Sequence, residues 1–349
     1  MHFASDNWAG AHPKIAENLT RHAGGFASAY GTGDLDRSVH ETFNTIFERE
    51  VAVFFVGTGT AANSLGQAAM ARPGGITFAH REAHMIADEA GAPSFFTGGA
   101  RVLPLDGATG RIDIANLKAA MNGFPPGHVH AGQPMSVSIT QSTESGTIYE
   151  LAEIAAISTV CKDNGLPLHM DGARFANALV SLGCTPAEMT WKQGVDILSF
   201  GGTKNGCWCA EALVFMNPEQ AKDMPYIRMR SAQNFSKSRF IAAQFEAYFA
   251  DGLWLETAAH ANAMAAELAK LIRASKDLRL AWQPRANEVF AIMKKQTSAK
   301  LQSLGAAFYD WFTPHAEKGL LEEDETITRF VTSFATTPED INRFGDLIA

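Results

Sequence analysis

The chain has 349 residues and a formal charge of −8, from 29 Lys and Arg against 37 Asp and Glu. At about 150 residues per domain, that length suggests two domains. The acidic balance argues against a nucleic-acid binder, which needs a basic footprint. A hydrophobic content of 46% excludes disorder. No run approaches the roughly 20 apolar residues that a membrane span requires.

The opening MHFASDNWAG has neither the basic nor the apolar segment of a signal peptide. The first periodic segment is 35–49, where Leu35, Val39, Phe43, Ile46 and Phe47 recur at helical spacing. VAVFFV (51–56) is a short unalternated apolar run, as in a strand buried on both faces. It leads into Gly57-Thr58-Gly59-Thr60 and the helix former AANSLGQAAMA. The alternation continues with a strand at 100–105, a helix at 113–121 capped by Asp113, and a strand at 135–140. Next come a helix at 151–164, a strand at 166–171, a helix at 173–183, and strands at 195–202 and 211–216. Residues 219–274 are mostly helical in period; strands follow at 288–293 and 326–335, and a helix runs from Asp340 to the end. Alternating helices and buried strands predict an α/β fold with a mostly parallel sheet covered by helices. The expected division is 1–245 for the large domain and 246–349 for a small α+β domain.

Cys161, Cys184, Cys207 and Cys209 are too few and too scattered for a disulfide framework. They read as buried thiols of a reduced, cytoplasmic protein. No second pair at metal-ligand spacing accompanies Cys207 and Cys209, and His128 and His130 sit in a Gly/Pro-rich loop, so no metal is expected.

Three stretches carry chemistry. The Gly57–Thr60 turn joins a buried strand to a helix start, where free N–H groups and the helix dipole attract an anion. Read as G-x-G-x-x-A it also fits a dinucleotide fingerprint, which keeps a nicotinamide dehydrogenase in play. The second, HMDGAR (169–174), puts Asp171 at a strand's carboxyl end, where α/β sheets bind ligands. The third, SFGGTKNG (199–206), puts Lys204 among small residues after an apolar strand, where a poorly solvated amine serves as a nucleophile. Thirty-three residues separate Asp171 from Lys204, one strand–helix–strand excursion, which brings both to one sheet edge. A phosphate cradle, an acid and a lysine together meet the needs of pyridoxal 5′-phosphate.

Further stretches complete a resemblance: SDN (5–7), AYGTGD (29–34), FVGTGTAANSL (55–65), REAHMIADEAGAP (81–93), TQSTESGTIY (140–149), HMDGARFANAL (169–179) and TRFVTSFATT (328–337). With these the chain resembles the threonine aldolase / β-eliminating lyase family of fold-type-I pyridoxal-phosphate enzymes, on the low-specificity L-threonine aldolase and phenylserine aldolase branch. The resemblance implies Lys204 as the Schiff-base lysine, Asp171 as partner of the pyridine nitrogen, and Gly59 and Thr60 at the phosphate. It implies His84 stacked on the cofactor ring, Arg174 near the ring hydroxyl and the substrate carboxylate, and Ser5 and Arg329 on that carboxylate. Tyr30, Arg228, Arg230 and Lys237 are looser candidates for contacts with a neighbouring subunit. The implied reaction cleaves a β-hydroxy-α-amino acid to glycine and an aldehyde; β-elimination and transamination are the alternatives. The family commonly carries a histidine where this chain has Gln141-Ser142-Thr143-Glu144. The base for the β-hydroxyl then falls to Glu144, a water or His84. A homotetramer built as a dimer of dimers, with sites at the dimer interface, is the implied assembly, and it suits a charged fraction of only 19%.

Overall fold

The computed structural model describes residues 1–349. Strands β1 (Ala52–Val56), β2 (Gly75–His80), β3 (Arg101–Leu105), β4 (Gln133–Thr140), β5 (Leu168–Gly172), β6 (Ile197–Gly201) and β7 (Glu211–Phe215) build one sheet. Its order is β1-β7-β6-β5-β4-β2-β3, and every neighbouring pair is parallel except the two made by β7. The central strands β5, β6 and β7 are buried along their whole length, which is why they read as unalternated apolar runs. Helices cover the sheet, as the alternation predicts.

β2 has no counterpart among the expected strands. Its sequence GITFAH interrupts the apolar run with Thr77 and His80, yet it is buried throughout. The buried Thr77 hydroxyl donates to Gln67 Oε1 at 2.7 Å, and Ser136 on β4 donates to the same oxygen at 2.8 Å. A polar group can lie inside a sheet when its partner lies there too.

Beyond the large sheet, β8 (Leu278–Leu280), β9 (Glu288–Lys294), β10 (Tyr309–Trp311) and β11 (Glu325–Val331) form an antiparallel sheet in the order β10-β11-β9-β8. β8, β10 and the helix Lys295–Ser303 are short or polar and carry no periodic signal. The two sheets have separate apolar cores. Residue 245 lies inside the helix Arg239–Phe249, whose Phe245 and Tyr248 pack in the first core. The helix Leu253–Ala274 serves both: Trp254 and Ala258 face the first core, Ala265 and Leu268 the second. We propose this helix as the domain boundary. Met1 and Phe3 also pack in the second core, so the N-terminal arm docks on the small sheet's side of the molecule.

Candidate active site

The register of the large sheet assembles the site. β1 ends at Val56, which pairs with Glu211 at the start of β7; Glu211 pairs in turn with Gly201 at the end of β6. On β6's other side, Asp171 and Gly172 of β5 pair with Ser199 and Phe200. The Gly57 turn, Asp171 and Lys204 therefore emerge at one edge, at the carboxyl ends of parallel strands. Backbone packing there is close: a Cβ on Gly201 would sit 2.5 Å from the Ala173 carbonyl oxygen, and one on Gly172 would sit 2.8 Å from that of Ser199. Any side chain at either position would push the two strand ends apart.

Gly59, Thr60, His84, Asp171 and Lys204 line one cavity of about 260 Å³, together with Asn7, Gly57, Thr58, Asn63, Ala173, Thr203 and Glu211. Lys204 makes no ion pair and no side-chain hydrogen bond. Asp171 is buried and doubly held: its Oδ2 accepts from Asn63 Nδ2 at 2.8 Å and its Oδ1 from the Ala173 N–H at 3.0 Å. The helix Gly59–Ala69 opens on this cavity. Thr58 caps it by accepting the Ala61 N–H, while the N–H groups of Gly59 and Thr60 find no acceptor within the protein. A Cβ on Gly59 would meet nothing within 4 Å, so the helix start is uncrowded on that side and borders the cavity. Unpartnered donors at a helix start favour an anion.

Sequence reasoning missed three polar groups here. Asn63 Nδ2 also donates to Glu89 Oε1 at 2.8 Å, and the same oxygen meets His84 Nδ1 at 2.9 Å, so a polar chain runs from Asp171 to His84. The hydrogen bond to Glu89 raises the His84 pKa against the desolvation that would lower it. Burial raises that of Glu89 itself. Glu211, on the cavity wall, is pushed up to about 7 by burial, against hydrogen bonds from Thr203 and the nearby Lys204 charge. Asn63 and Glu89 lie within the quoted motifs and signal themselves as polar residues on buried faces; Glu211 opens an otherwise apolar strand. His169, two residues before Asp171, stays out of the cavity. Burial lowers its pKa to about 4, and it bridges Ser138 on β4 and Ser199 on β6 at 2.8 and 3.0 Å.

None of the three residues expected to hold a carboxylate lines this cavity. Arg174 is buried beside the cavity, and its guanidinium is already engaged. Nε and Nη2 donate to Asp6 Oδ2 and Oδ1 at 2.7 and 3.0 Å, and Nη1 lies 3.2 Å from Glu288 Oε2. Burial opposes its charge, but Asp6 and Glu288 keep it protonated. Arg329, on β11, lies face-on over Trp311 at 3.9 Å with Nη1 3.7 Å from Glu288 Oε1. Its Nε has no acceptor. Ser5 caps the next turn by accepting the Asn7 N–H at 3.1 Å and faces a separate cleft with His2, Trp8 and Asp340. Arg174 and Arg329 thus meet at Glu288, and the arm holds them through Asp6 and the Ala4 carbonyl oxygen, which accepts from Arg329 Nη2 at 3.4 Å.

Of the looser candidates, none lines the cavity. Tyr30 is exposed, and Arg228 lies over Phe54. The segment after Arg230 reaches the site through Gln233, which accepts the Gly57 N–H at 3.1 Å. Cys161 and Cys207 are buried as expected, but Cys184 is half-buried and Cys209 exposed, because Cys209 follows Trp208 around a surface turn. All four are unpaired, and no cluster of His, Cys, Asp and Glu could hold a metal. No helix is long and apolar enough to cross a membrane.

Unpartnered helix N–H groups, a fixed carboxylate and an unpaired lysine amine thus share one cavity. Residues 2–296 match the beta-eliminating lyase family. A low specificity L-threonine aldolase of Pseudomonas aeruginosa is 38% identical over 327 residues, 94% of each chain. One from another Pseudomonas species is 39% identical over 307 residues, 88% of each chain. A solved threonine aldolase from Leishmania major superposes with a TM-score of 0.91 at 28% identity, over 99% of this chain and 98% of that one. The chain belongs to the beta-eliminating lyase family and is a pyridoxal-phosphate-dependent lyase, which sets aside the dinucleotide reading of the Gly57 turn.

Proposed function

We propose that this chain is an aldolase that cleaves β-hydroxy-α-amino acids of the L-threonine, L-allo-threonine and phenylserine type to glycine and an aldehyde. The observation that carries the reading is the free Lys204 amine in the cavity of Asp171, Gly59 and Thr60, in a chain whose relatives bear the threonine aldolase name. When bound, the cofactor supplies an electron sink for the charge left at the substrate's α-carbon as the Cα–Cβ bond breaks. Gly59 and Thr60 offer the N–H groups for its phosphate. Lys204 would hold it covalently and move the proton at the α-carbon. Asp171, fixed by two donors, keeps a proton on the ring nitrogen. His84 would stack on the cofactor ring, and with Nδ1 committed to Glu89 its other nitrogen would accept the β-hydroxyl proton. Arg174, Arg329 and Ser5 would receive the substrate carboxylate, and holding it would orient the substrate and select which bond breaks.

Product analysis on the holoenzyme tests this. Threonine, allo-threonine and phenylserine should yield glycine and the matching aldehyde. Ammonia and a keto acid from the same substrates would instead establish the β-elimination after which the family is named. A second copy of the chain completes the site in this reading. Trp8, Phe26, Tyr30, Trp208, Tyr226 and Met229 are large apolar side chains left exposed on one chain, surface that favours burial in an oligomer. Dimers pairing into a tetramer should appear by light scattering, and a monodisperse active monomer would refute the assembly. The unpaired cysteines favour a reducing, cytoplasmic location.

A further inference from the structure

The fully buried Glu288 has no part in the reaction as described, and its surroundings are unusual. It opens β9 with both carboxylate oxygens sealed from solvent, and neither accepts a hydrogen bond. Oε2 faces Arg174 Nη1 at 3.2 Å and Oε1 faces Arg329 Nη1 at 3.7 Å, while Arg329 Nε also lacks a partner. Donors and acceptors of opposite charge thus face each other without closing. A buried carboxylate without hydrogen bonds is costly, and each such group in a folded protein needs an explanation.

Charge counting supplies one. Arg174 and Arg329 carry two positive charges, and Asp6 and Glu288 carry two negative ones. Glu144, half-buried in the loop after β4, also acts on Arg174 and Glu288. The inner cluster is neutral before any substrate arrives. A carboxylate docking on Arg329 would leave it one charge negative in a dry site, where repulsion between carboxylates is strong. Only one member can absorb that charge. Asp6 is held low by the Arg174 and Lys204 charges despite burial, and it accepts from Arg174 and Asn287. Glu288 is pushed up to about 7 by burial, with Glu144 and Asp6 adding to the rise and the two guanidiniums opposing it.

We propose that Glu288 stands in for the substrate carboxylate between Arg174 and Arg329 and takes up one proton from solvent when that carboxylate docks. No covalent bond to carbon changes. The proton neutralises Glu288, and its new O–H donates to the arriving carboxylate or a neighbouring acceptor, which ends the unmet hydrogen bonding of the empty cluster. Affinity for amino-acid substrates therefore falls with rising pH through Glu288, apart from any titration of the substrate amine. The inference rests on the carboxylate docking proposed for Arg329.

The probe is 3-hydroxybutyrate, a β-hydroxy carboxylate without an amine, added to the holoenzyme. Calorimetric titration at pH 8 in two buffers of different ionisation heat should report about one proton taken up per chain. Its affinity should weaken by up to about tenfold per pH unit above the Glu288 titration. Glu288→Gln should bind the probe more tightly at pH 8, take up no proton and lose the pH dependence. Zero uptake by the parent protein overturns the proposal without any variant, as does equal uptake by parent and E288Q. Arg329→Leu separates the two readings. If R329L binds the probe as well as the parent does, the docking site itself is wrong. If R329L loses binding while the parent takes up no proton, only the role of Glu288 falls.

Discussion

Lys204 stands in its cavity without an ion pair, whereas Arg174, near it at the same sheet edge, gives both edges of its guanidinium to carboxylates. The first region leaves functional groups unsatisfied: the lysine amine and the N–H groups of Gly59 and Thr60 border the cavity. The second consumes nearly all of its charge internally, and Asp6, Asn287 and Glu288 tie the N-terminal arm to both sheets through it. Unsatisfied groups await a ligand and contribute little to folding. Buried groups that pair with each other hold the fold and yield to a ligand only by exchange. A cofactor that remains bound suits the first arrangement, and a substrate that comes and goes suits the second.

The largest effect that could break this comparison is at Lys204. Lys204→Ala should remove the visible absorbance of the bound cofactor and reduce turnover by at least about 10³-fold, the scale of losing a nucleophile or proton carrier. Its thermal midpoint, measured without cofactor, should match that of the parent apoprotein, because the amine pairs with nothing. A large loss of apoprotein stability in K204A would erase the distinction between the regions.

Asp6→Asn should do the reverse. The substitution keeps the shape but strips Arg174 of its side-on partner, and removing one member of a buried pair costs about 3–5 kcal/mol. Urea unfolding of the apoprotein should show that loss, carried by the arm and both cores together, since Asp6 reaches Arg174 at the end of β5 and Asn287 beside β9. A loss under about 1 kcal/mol would mean that the cluster is a surface-like pair despite its burial.

How far each region could be read from sequence follows from the same contrast. The cavity comes mostly from short segments that announce themselves locally: at Gly57–Thr60, Asp171 and Lys204 an apolar run ends in glycine and the functional residue. Strand order adds only their convergence, which the 33-residue spacing already implies. The charge cluster joins residues 6, 174, 288 and 329, and nothing in the local pattern around Arg174 states that Asp6 will be its partner. Arg329 could be flagged as a charge in an apolar strand, and Glu288 carries the same signal at the head of EVFAIM. The identity of the neutralising group, though, is a property of tertiary packing. β2 escaped for a related reason, since Thr77 is tolerated inside the sheet only because Gln67 and Ser136 meet it there.

Behind the cavity, His169 gives a smaller and purely structural effect. Its native pKa of about 4 lies below the usual value of 6.5 because burial disfavours the charged ring. The unfolded chain therefore binds the proton first as pH falls, and stability present above pH 6.5 is lost progressively toward pH 4. Between pH 7 and pH 5 the loss from this group is about 2 kcal/mol. His169→Gln should flatten that part of the stability–pH curve, measured by urea unfolding; an unchanged slope would place the titration elsewhere.

The smallest effect sharpens the cavity itself. Glu89 touches His84 and Asn63 and is sealed from solvent, so it acts through those two residues. Glu89→Gln keeps the size and one acceptor oxygen but removes the charge that raises the His84 pKa. The fold should survive, and turnover should fall by about fivefold, the worth of roughly 1 kcal/mol for a weakened hydrogen bond. The informative readout is the pH profile: the limb governed by His84 should shift to lower pH, since the hydrogen bond to Glu89 is the largest influence holding it up. A merely structural Glu89 would lower activity evenly across pH and leave that limb in place. Asn63 separates the alternatives further, because it alone joins the two carboxylates. Asn63→Ala should free Asp171 as well as Glu89, and it should move the absorbance of the bound cofactor, which E89Q leaves unaltered.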